Sequence, residues 1–283
     1  MATASRVSRP ALKIALESYK GVLAALQNNS PVISSKIPLN NGTSLPIVGF
    51  GTYLIEEHKI HTVLDAALKY GYRNIDTAAM YENEKAIGIA LRDLLPKYSL
   101  SRKDVFITTK LLPEDMGGNR VKSAVAKSLN NLGLTYVDLY LIHWPGAEDE
   151  TTSGVKNTKL RIDSWKELIR LNDNGRGVLR AIGVSNFLAK HLTHIISKTG
   201  VPPVVNQVEF HPYYNHPDEL YELCCKYNII LQAYASLGGS DNPVLIRHSV
   251  VKEVATKHQV SPAQVLLKWG LQEGFGKLKF LNS

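Results

Sequence analysis

The chain has 283 residues, 44% of them hydrophobic and 20% charged, which is the composition of a globular protein with one large domain or two small ones. No apolar run approaches the roughly 18 to 20 residues that a membrane helix needs, and two cysteines are too few for a disulfide framework or a zinc site. The basic residues behind the formal net charge of +8 are scattered and accompany no nucleic-acid-binding motif. We therefore expect no membrane partner, no nucleic-acid partner and a cytoplasmic location.

Residues 1–36 differ in composition from the rest of the chain. Arg6, Arg9, Lys13 and Lys20 accompany a single acidic residue, Glu17, and apolar residues recur at helical spacing. The pattern predicts a detachable N-terminal extension, either a surface helix or a flexible tail. A basic amphipathic segment is also typical of a mitochondrial presequence, so a mitochondrial location is the alternative.

From residue 37 onward, short apolar runs alternate with longer segments of helical period. The runs that predict strands are residues 47–51, 72–76, 105–110, 137–143, 181–185, 204–209 and 229–234. Continuous apolar runs are typical of buried parallel strands. Their alternation with helical segments predicts repeated strand–helix units, which form either an open doubly wound sheet or a closed barrel. Residues 37–39 and 43–45 predict a small hairpin before the first unit.

The glycine pattern favours the barrel. An open dinucleotide-binding sheet carries G-x-G-x-x-G after its first strand, and residues 49–54 lack the third glycine. The length is close to the roughly 250 residues typical of the (β/α)8 fold. We predict an α/β protein with a TIM barrel over residues 37–283, in which the eighth strand and the C-terminal helices are altered or missing.

The carboxyl ends of barrel strands are the usual place of an active site, and several predicted strands end in polar residues. Asp76 and Lys110 can form an ion pair there that favours the charged state of both. Tyr81 lies one short loop after Asp76, and His143 can donate a hydrogen bond to a substrate oxygen. Taken singly, each residue also has a structural explanation, such as a helix cap or core packing. Lys110 equally allows Schiff-base aldolase chemistry.

Five segments in order along the chain resemble motifs of the aldo-keto reductases. These segments are residues 71–84, 107–111, 136–145, 181–187 and 206–212. The resemblance extends from about residue 37 to about residue 274. It implies the reduction of an aldehyde or ketone to an alcohol with NADPH as the cofactor, and it removes the aldolase alternative.

The resemblance also implies a role for each residue of the catalytic set. Tyr81 would protonate the developing alkoxide as the general acid. Lys110, held by Asp76, would lower the pKa of Tyr81. His143 would orient and polarise the carbonyl group.

Further residues are assigned to binding by the same resemblance. The cofactor residues are Gly51, Thr52, Asp76, Ser185, Asn186, Gln207, Tyr234, Ser236, Leu237 and Gly238. The substrate residues are Tyr53, His143 and Trp144, and no metal is expected. Ala235 stands where the family usually has serine.

The C-terminal sequence departs from the family, which continues after the position of Trp269 into an eighth strand with a Pro-Lys-Ser-like motif. Residues 274–283 carry no such motif. We expect an unclosed barrel with exposed strand edges, and weaker NADPH binding than in a full-length relative. Two hypotheses follow: a monomeric NADPH-dependent reductase of a small carbonyl substrate, or a catalytically weak or inactive barrel that acts as a binding or regulatory protein.

Overall fold

A computed structural model describes residues 33, 35–147, 154–239, 244–274 and 276–280. The extension predicted over residues 1–36 therefore lies almost wholly outside the described residues. A short hairpin, β1 (Lys36–Pro38) and β2 (Ser44–Pro46), comes first, in agreement with the sequence prediction.

Eight parallel strands follow and close into a barrel. They are β3 (Val48–Gly51), β4 (Asn74–Asp76), β5 (Phe106–Leu111), β6 (Leu139–Ile142), β7 (Ile182–Ser185), β8 (Val205–Glu209), β9 (Ile230–Tyr234) and β10 (Gly276–Phe280). Every residue of β5 is buried, because its two faces contact the barrel interior and the surrounding helices. The predicted TIM barrel is confirmed.

The described helices lie in the connections between strands. They are α1 (Glu57–Lys69), α2 (Glu84–Lys97), α3 (Gly118–Leu132), α4 (Val155–Asn172), α5 (Ala189–Thr199), α6 (Asp218–Lys226), α7 (Val244–Arg247), α8 (Ser249–His258) and α9 (Pro262–Gln272). Local sequence signals determine where these helices begin and end. Ser261 and Gln264 form a capping box at the start of α9, and Gly133 ends α3 at a φ of 63°.

The expectation of an unclosed barrel is wrong. β10 pairs with β3 in the register Lys277 to Val48, and with β9 in the register Gly276 to Gln232. The motif that is missing from residues 274–283 consists of particular side chains. Closure requires only backbone N–H and C=O groups in register, and five residues of extended chain supply them.

The amino end of the barrel is closed by the hairpin. Ile37, Leu45 and Ile47 are fully buried and pack against residues from the barrel strands, among them Phe106 and Leu139. Such a cluster excludes water from this end of the barrel interior. The barrel interior is therefore reached from the carboxyl ends of the strands.

Candidate active site

A buried ion pair joins the carboxyl ends of β4 and β5. Nζ of Lys110 lies 2.5 Å from Oδ1 of Asp76, and neither side chain is exposed. Burial raises the pKa of Asp76, against an opposing effect of Lys110. Burial alone would lower the pKa of Lys110, but its interactions with Asp76 and Tyr81 outweigh this effect and hold the pKa above its usual value. Lys110 is therefore a fixed positive charge.

Tyr81 lies beside this positive charge. It ends the single 3-10 turn Ala79–Tyr81 that follows β4, and its Oη accepts a hydrogen bond of 3.1 Å from Nζ of Lys110. Because Oη accepts here, the hydroxyl hydrogen of Tyr81 remains available to another acceptor. Burial raises the pKa of Tyr81, and Lys110 lowers it by a smaller amount. Lys110 thus acts in the predicted direction, but the net pKa is raised rather than lowered.

His143 follows β6 and lies against the tyrosine. Its ring centroid is 5.8 Å from that of Tyr81, in an edge-on arrangement. Burial, with the nearby charge of Lys110, lowers the pKa of His143 to about 3, so the imidazole is neutral at physiological pH. Its Nδ1 is buried and has no hydrogen-bond partner among the described residues. A neutral imidazole has one N–H to donate.

The residues predicted to bind the nicotinamide form a hydrogen-bonded chain across the ends of β6 to β9. Tyr234 donates from Oη to Oδ1 of Asn186 at 2.8 Å. Asn186 donates from Nδ2 to the carbonyl oxygen of His143 at 3.0 Å. Ser185 donates from Oγ to the carbonyl oxygen of Gln207 at 2.9 Å. The structure therefore brings these four predicted residues together beside His143.

Gln207 connects this chain to the ion pair. Its Nε2 donates to Oδ2 of Asp76 at 2.8 Å and to Oε1 of Gln232 at 2.9 Å. Gln232 lies within β9 and is fully buried, and the sequence analysis did not single it out. No sequence signal separates it from an ordinary polar residue of a strand.

Gly51 and Thr52, both predicted to bind the cofactor, contact the backbone of Asp76. Gly51 is the last residue of β3 and pairs in register with Asp76. Thr52 donates from Oγ1 to the carbonyl oxygen of Asp76 at 3.0 Å. Both residues therefore support the strand end that carries the ion pair.

Asn83 is a structural link that the sequence analysis missed. It is 1% exposed, and its Nδ2 donates to the carbonyl oxygens of Thr52 at 2.9 Å and Ile55 at 3.3 Å. Its Oδ1 accepts from Oγ1 of Thr77 at 2.8 Å. An asparagine directly before a helix resembles an N-cap, yet this side chain makes no capping bond. It instead joins the loop after β3 to the loop that carries Tyr81.

The loop after β9 has features that fit the phosphate groups of a nucleotide cofactor. The buried Oγ of Ser236 has no hydrogen-bond partner among the described residues. Gly238 has a φ of 104°, and a glycine lets a ligand approach the backbone closely. Ala235 takes the left-handed conformation, with a φ of 49°, which is unusual for a residue with a Cβ. The Leu237 side chain packs into a separate apolar cluster, so only the backbone of Leu237 is available to bind a ligand.

Two aromatic side chains form a partly exposed rim above Tyr81 and His143. Tyr53 is 46% exposed and its ring centroid is 5.1 Å from that of Tyr81. Trp144 is 43% exposed and stacks against His143 at 6.3 Å. Exposed aromatic rings beside buried polar groups are typical of a small-molecule site.

Two further findings concern the described residues only. No group of three or more His, Cys, Asp or Glu side chains is arranged there to hold a metal ion. None of the helices described is long and apolar enough to cross a membrane.

Comparison with known proteins decides the family. The model of the aldo/keto reductase family matches residues 47–241. The chain belongs to the aldo/keto reductase family. Glyoxal reductase of Bacillus subtilis (strain 168) is 38% identical to it over 243 residues, which are 86% of this chain and 80% of that protein. Prostaglandin F synthase 1 of Bos taurus is 38% identical over 263 residues, which are 85% of this chain and 80% of that protein.

Solved structures agree with this assignment. The crystal structure of an aldo/keto reductase from Brucella melitensis matches with a TM-score of 0.77 at 35% identity, over 88% of each chain. The family predicted from the motifs is confirmed. This aldo/keto reductase is an oxidoreductase of a family that acts on small carbonyl compounds.

Proposed function

We propose that this aldo/keto reductase reduces an aldehyde or ketone to the alcohol with NADPH, and that Tyr81 is the general acid. One observation carries the proposal: Lys110 donates its hydrogen bond to Oη of Tyr81, so the tyrosine hydroxyl hydrogen is left for a substrate oxygen. Side-chain acids in this position typically accelerate proton transfer by about 10²- to 10⁴-fold.

In this proposal Tyr81 donates the proton and Lys110 stabilises the phenolate that remains. The carbonyl oxygen accepts a hydrogen bond from Tyr81 and takes the proton from Oη as negative charge develops on it. The phenolate that remains is stabilised by the ammonium group 3.1 Å away, until a proton from solvent restores the hydroxyl. Asp76 is a positioning residue, since it fixes Lys110 without contacting the substrate oxygen.

His143 orients the substrate in this proposal. Its neutral imidazole donates a hydrogen bond to the same oxygen, and the lowered pKa keeps it from competing with Tyr81 as a proton donor. The rings of Tyr53 and Trp144 shield the reacting carbonyl from water.

The residues present fit a nicotinamide nucleotide. Ser185, Asn186, Gln207 and Tyr234 would hold the nicotinamide end. The buried hydroxyl of Ser236 and the backbone at Gly238 would face phosphate groups. When bound, NADPH would supply the hydride that the carbonyl carbon accepts.

Two relatives of equal identity carry names that refer to different compounds, glyoxal and prostaglandin F. We therefore propose the substrate class only: a small carbonyl compound that is bound by a single chain without nucleic acid or membrane. A cytoplasmic location remains part of the proposal.

The test is turnover with NADPH deuterated at the transferable position, offered glyoxal and a nitrobenzaldehyde in separate reactions. We expect alcohol products that carry one deuterium, and slower turnover with NADH. Folded protein that reduces neither aldehyde would reject the proposal in favour of a binding or regulatory barrel. Turnover with NADH alone would reject the cofactor assignment.

A further inference from the structure

A groove of about 910 Å³ lies on the face of the barrel opposite the candidate active site. The hairpin β1–β2 forms one wall, and the segments that lead into β4, β5, β6 and β7 form the others. These segments are at the amino ends of the strands, whereas Asp76 and Lys110 lie near the carboxyl ends. Small-molecule sites have volumes of about 300 to 1,000 Å³, so this groove has room for a molecule of nucleotide size.

The groove has an excess of positive charge. Four basic side chains line it, Lys36, Arg73, Lys103 and Arg180, and none of them forms an ion pair with a carboxylate among the described residues. Two acidic side chains, Asp104 and Asp138, also line the groove, so its cations exceed its carboxylates by two. Asp138 is 2.6 Å from Nη2 of Arg102, and Asp104 accepts hydrogen bonds from Ser101.

The two arginines of the groove use only Nη1 for hydrogen bonds among the described residues. Arg73 donates from Nη1 to the carbonyl oxygens of Tyr72 at 2.8 Å and Leu68 at 3.1 Å. Arg180 donates from Nη1 to the carbonyl oxygen of Gly175 at 2.8 Å. Among the described residues, Nε and Nη2 of both arginines have no partner. These two N–H groups form the edge that binds a phosphate in a bidentate manner.

Tyr136 makes the position of Arg180 rigid. The guanidinium carbon of Arg180 is 4.7 Å from the centroid of the Tyr136 ring, and that of Arg102 is 4.2 Å from it. The ring is therefore stacked with two guanidinium groups. A cation that is fixed before binding loses little conformational entropy when a ligand arrives.

We propose that this groove binds a soluble small molecule that carries two or more linked phosphate groups. One phosphate would engage too few of the four cations, which line different walls of the groove. The concave shape, with cations on different walls, favours a free molecule over the headgroup of a lipid in a flat membrane. The proposal does not depend on the carbonyl reductase activity, because none of these residues contacts the candidate active site.

The probe is inorganic tripolyphosphate, measured by isothermal titration calorimetry on the full chain with saturating NADP⁺ to fill the cofactor site. We expect one binding site. The variant Lys36→Met/Lys103→Met should weaken binding at least about tenfold, because it removes two charged contacts. Its fold should persist, since both side chains are exposed and neither forms a hydrogen bond or an ion pair among the described residues.

The matched control is Lys252→Met/Lys257→Met, which removes the same charge from the exposed face of α8. We expect this control to change the affinity less than about twofold, since remote surface charges are screened by salt. An equal loss in both variants would show general attraction by a basic protein and would overturn the proposal. So would absence of binding, or a second titration in which phosphoinositide vesicles bind and tripolyphosphate does not.

Discussion

Lys110 uses all three hydrogens of its ammonium group within the site. It donates to Oδ1 of Asp76 at 2.5 Å, to the carbonyl oxygen of Thr77 at 2.9 Å and to Oη of Tyr81 at 3.1 Å. An ammonium group has three donors and no acceptor, so its orientation is fully determined. At the scale of single residues, this geometry leaves the hydroxyl hydrogen of Tyr81 available to a substrate oxygen, as the proposed function requires.

Removing the positive charge of Lys110 should lower both the stability and the activity of the protein. The variant Lys110→Met leaves the Asp76 carboxylate buried without its partner, which destabilises a protein by about 3 to 5 kcal/mol. The double variant Asp76→Asn/Lys110→Met should regain much of this stability but none of the activity. Urea unfolding measures the first effect and NADPH turnover the second. A Lys110→Met variant as stable as the parent would contradict the account.

The pKa shifts define the pH range of the reduction. The raised pKa of Tyr81 keeps its proton bound up to and beyond the ordinary value of 10.0, and the pKa of about 3 keeps His143 neutral above that pH. Reduction therefore slows only as the pH rises through the raised pKa of Tyr81. We expect kcat/KM to be flat from about pH 5 to about pH 9. A fall centred near neutral pH in the pH–rate profile would show that the pKa of Tyr81 is lowered rather than raised.

The sequence predicted much of this site for identifiable reasons. Asp76, Lys110 and His143 follow from the position of apolar runs and the rule on strand ends, whereas Tyr81 required the motif resemblance. The net pKa of Tyr81 could not be predicted. It depends on how completely the hydroxyl is buried, and burial is a property of the assembled barrel rather than of a local segment.

At the scale of elements, the loop after β3 and the loop after β4 are joined by one side chain. Asn83 forms hydrogen bonds with Thr52 and Ile55 in the first loop and with Thr77 in the second. Tyr53 and Tyr81, whose ring centroids are 5.1 Å apart, lie on these two loops. Sequence patterns place both loops, but the contact between them arises from the closure of the barrel.

Loss of the Asn83 side chain should loosen both loops. The variant Asn83→Ala leaves buried carbonyl oxygens without donors, at a cost of about 1 to 3 kcal/mol each. We expect kcat to fall about tenfold as Tyr81 loses its fixed position, with a smaller change in the affinity for NADPH. Asn130→Ala, on the exposed side of α3, is the control and should match the parent in kcat and in urea unfolding. Equal kcat values for both variants would refute the linking role.

At the scale of the whole molecule, closure of the barrel depends on β10. Its backbone pairs with β3 on one side and with β9 on the other. The strands β3 to β9 were predictable because each is a continuous apolar run. Residues 276–280 instead alternate lysine with apolar residues, and this pattern alone did not identify them as a barrel strand. Their role became visible only from the pairing.

Deleting residues 276–283 should expose the edges of β3 and β9. Unpaired edge strands lose backbone hydrogen bonds and promote association. We expect the midpoint of thermal unfolding to fall by about 10 °C or more, with oligomers in size-exclusion chromatography. Deleting residues 281–283 alone leaves β10 intact and serves as the control. An unchanged midpoint after the larger deletion would contradict a closing role for β10.

The central claim, that Tyr81 donates the proton in carbonyl reduction, is tested most directly by removing single hydroxyl groups from two neighbouring rings. Tyr81→Phe and Tyr53→Phe alter rings whose centroids are 5.1 Å apart. We predict that Tyr81→Phe lowers kcat for aldehyde reduction by about 10²- to 10⁴-fold while NADPH binding, measured by fluorescence titration, is retained. Tyr53→Phe should stay within about threefold of the parent, as expected for a partly exposed rim residue. Equal kcat values for Tyr81→Phe and the parent would contradict the account.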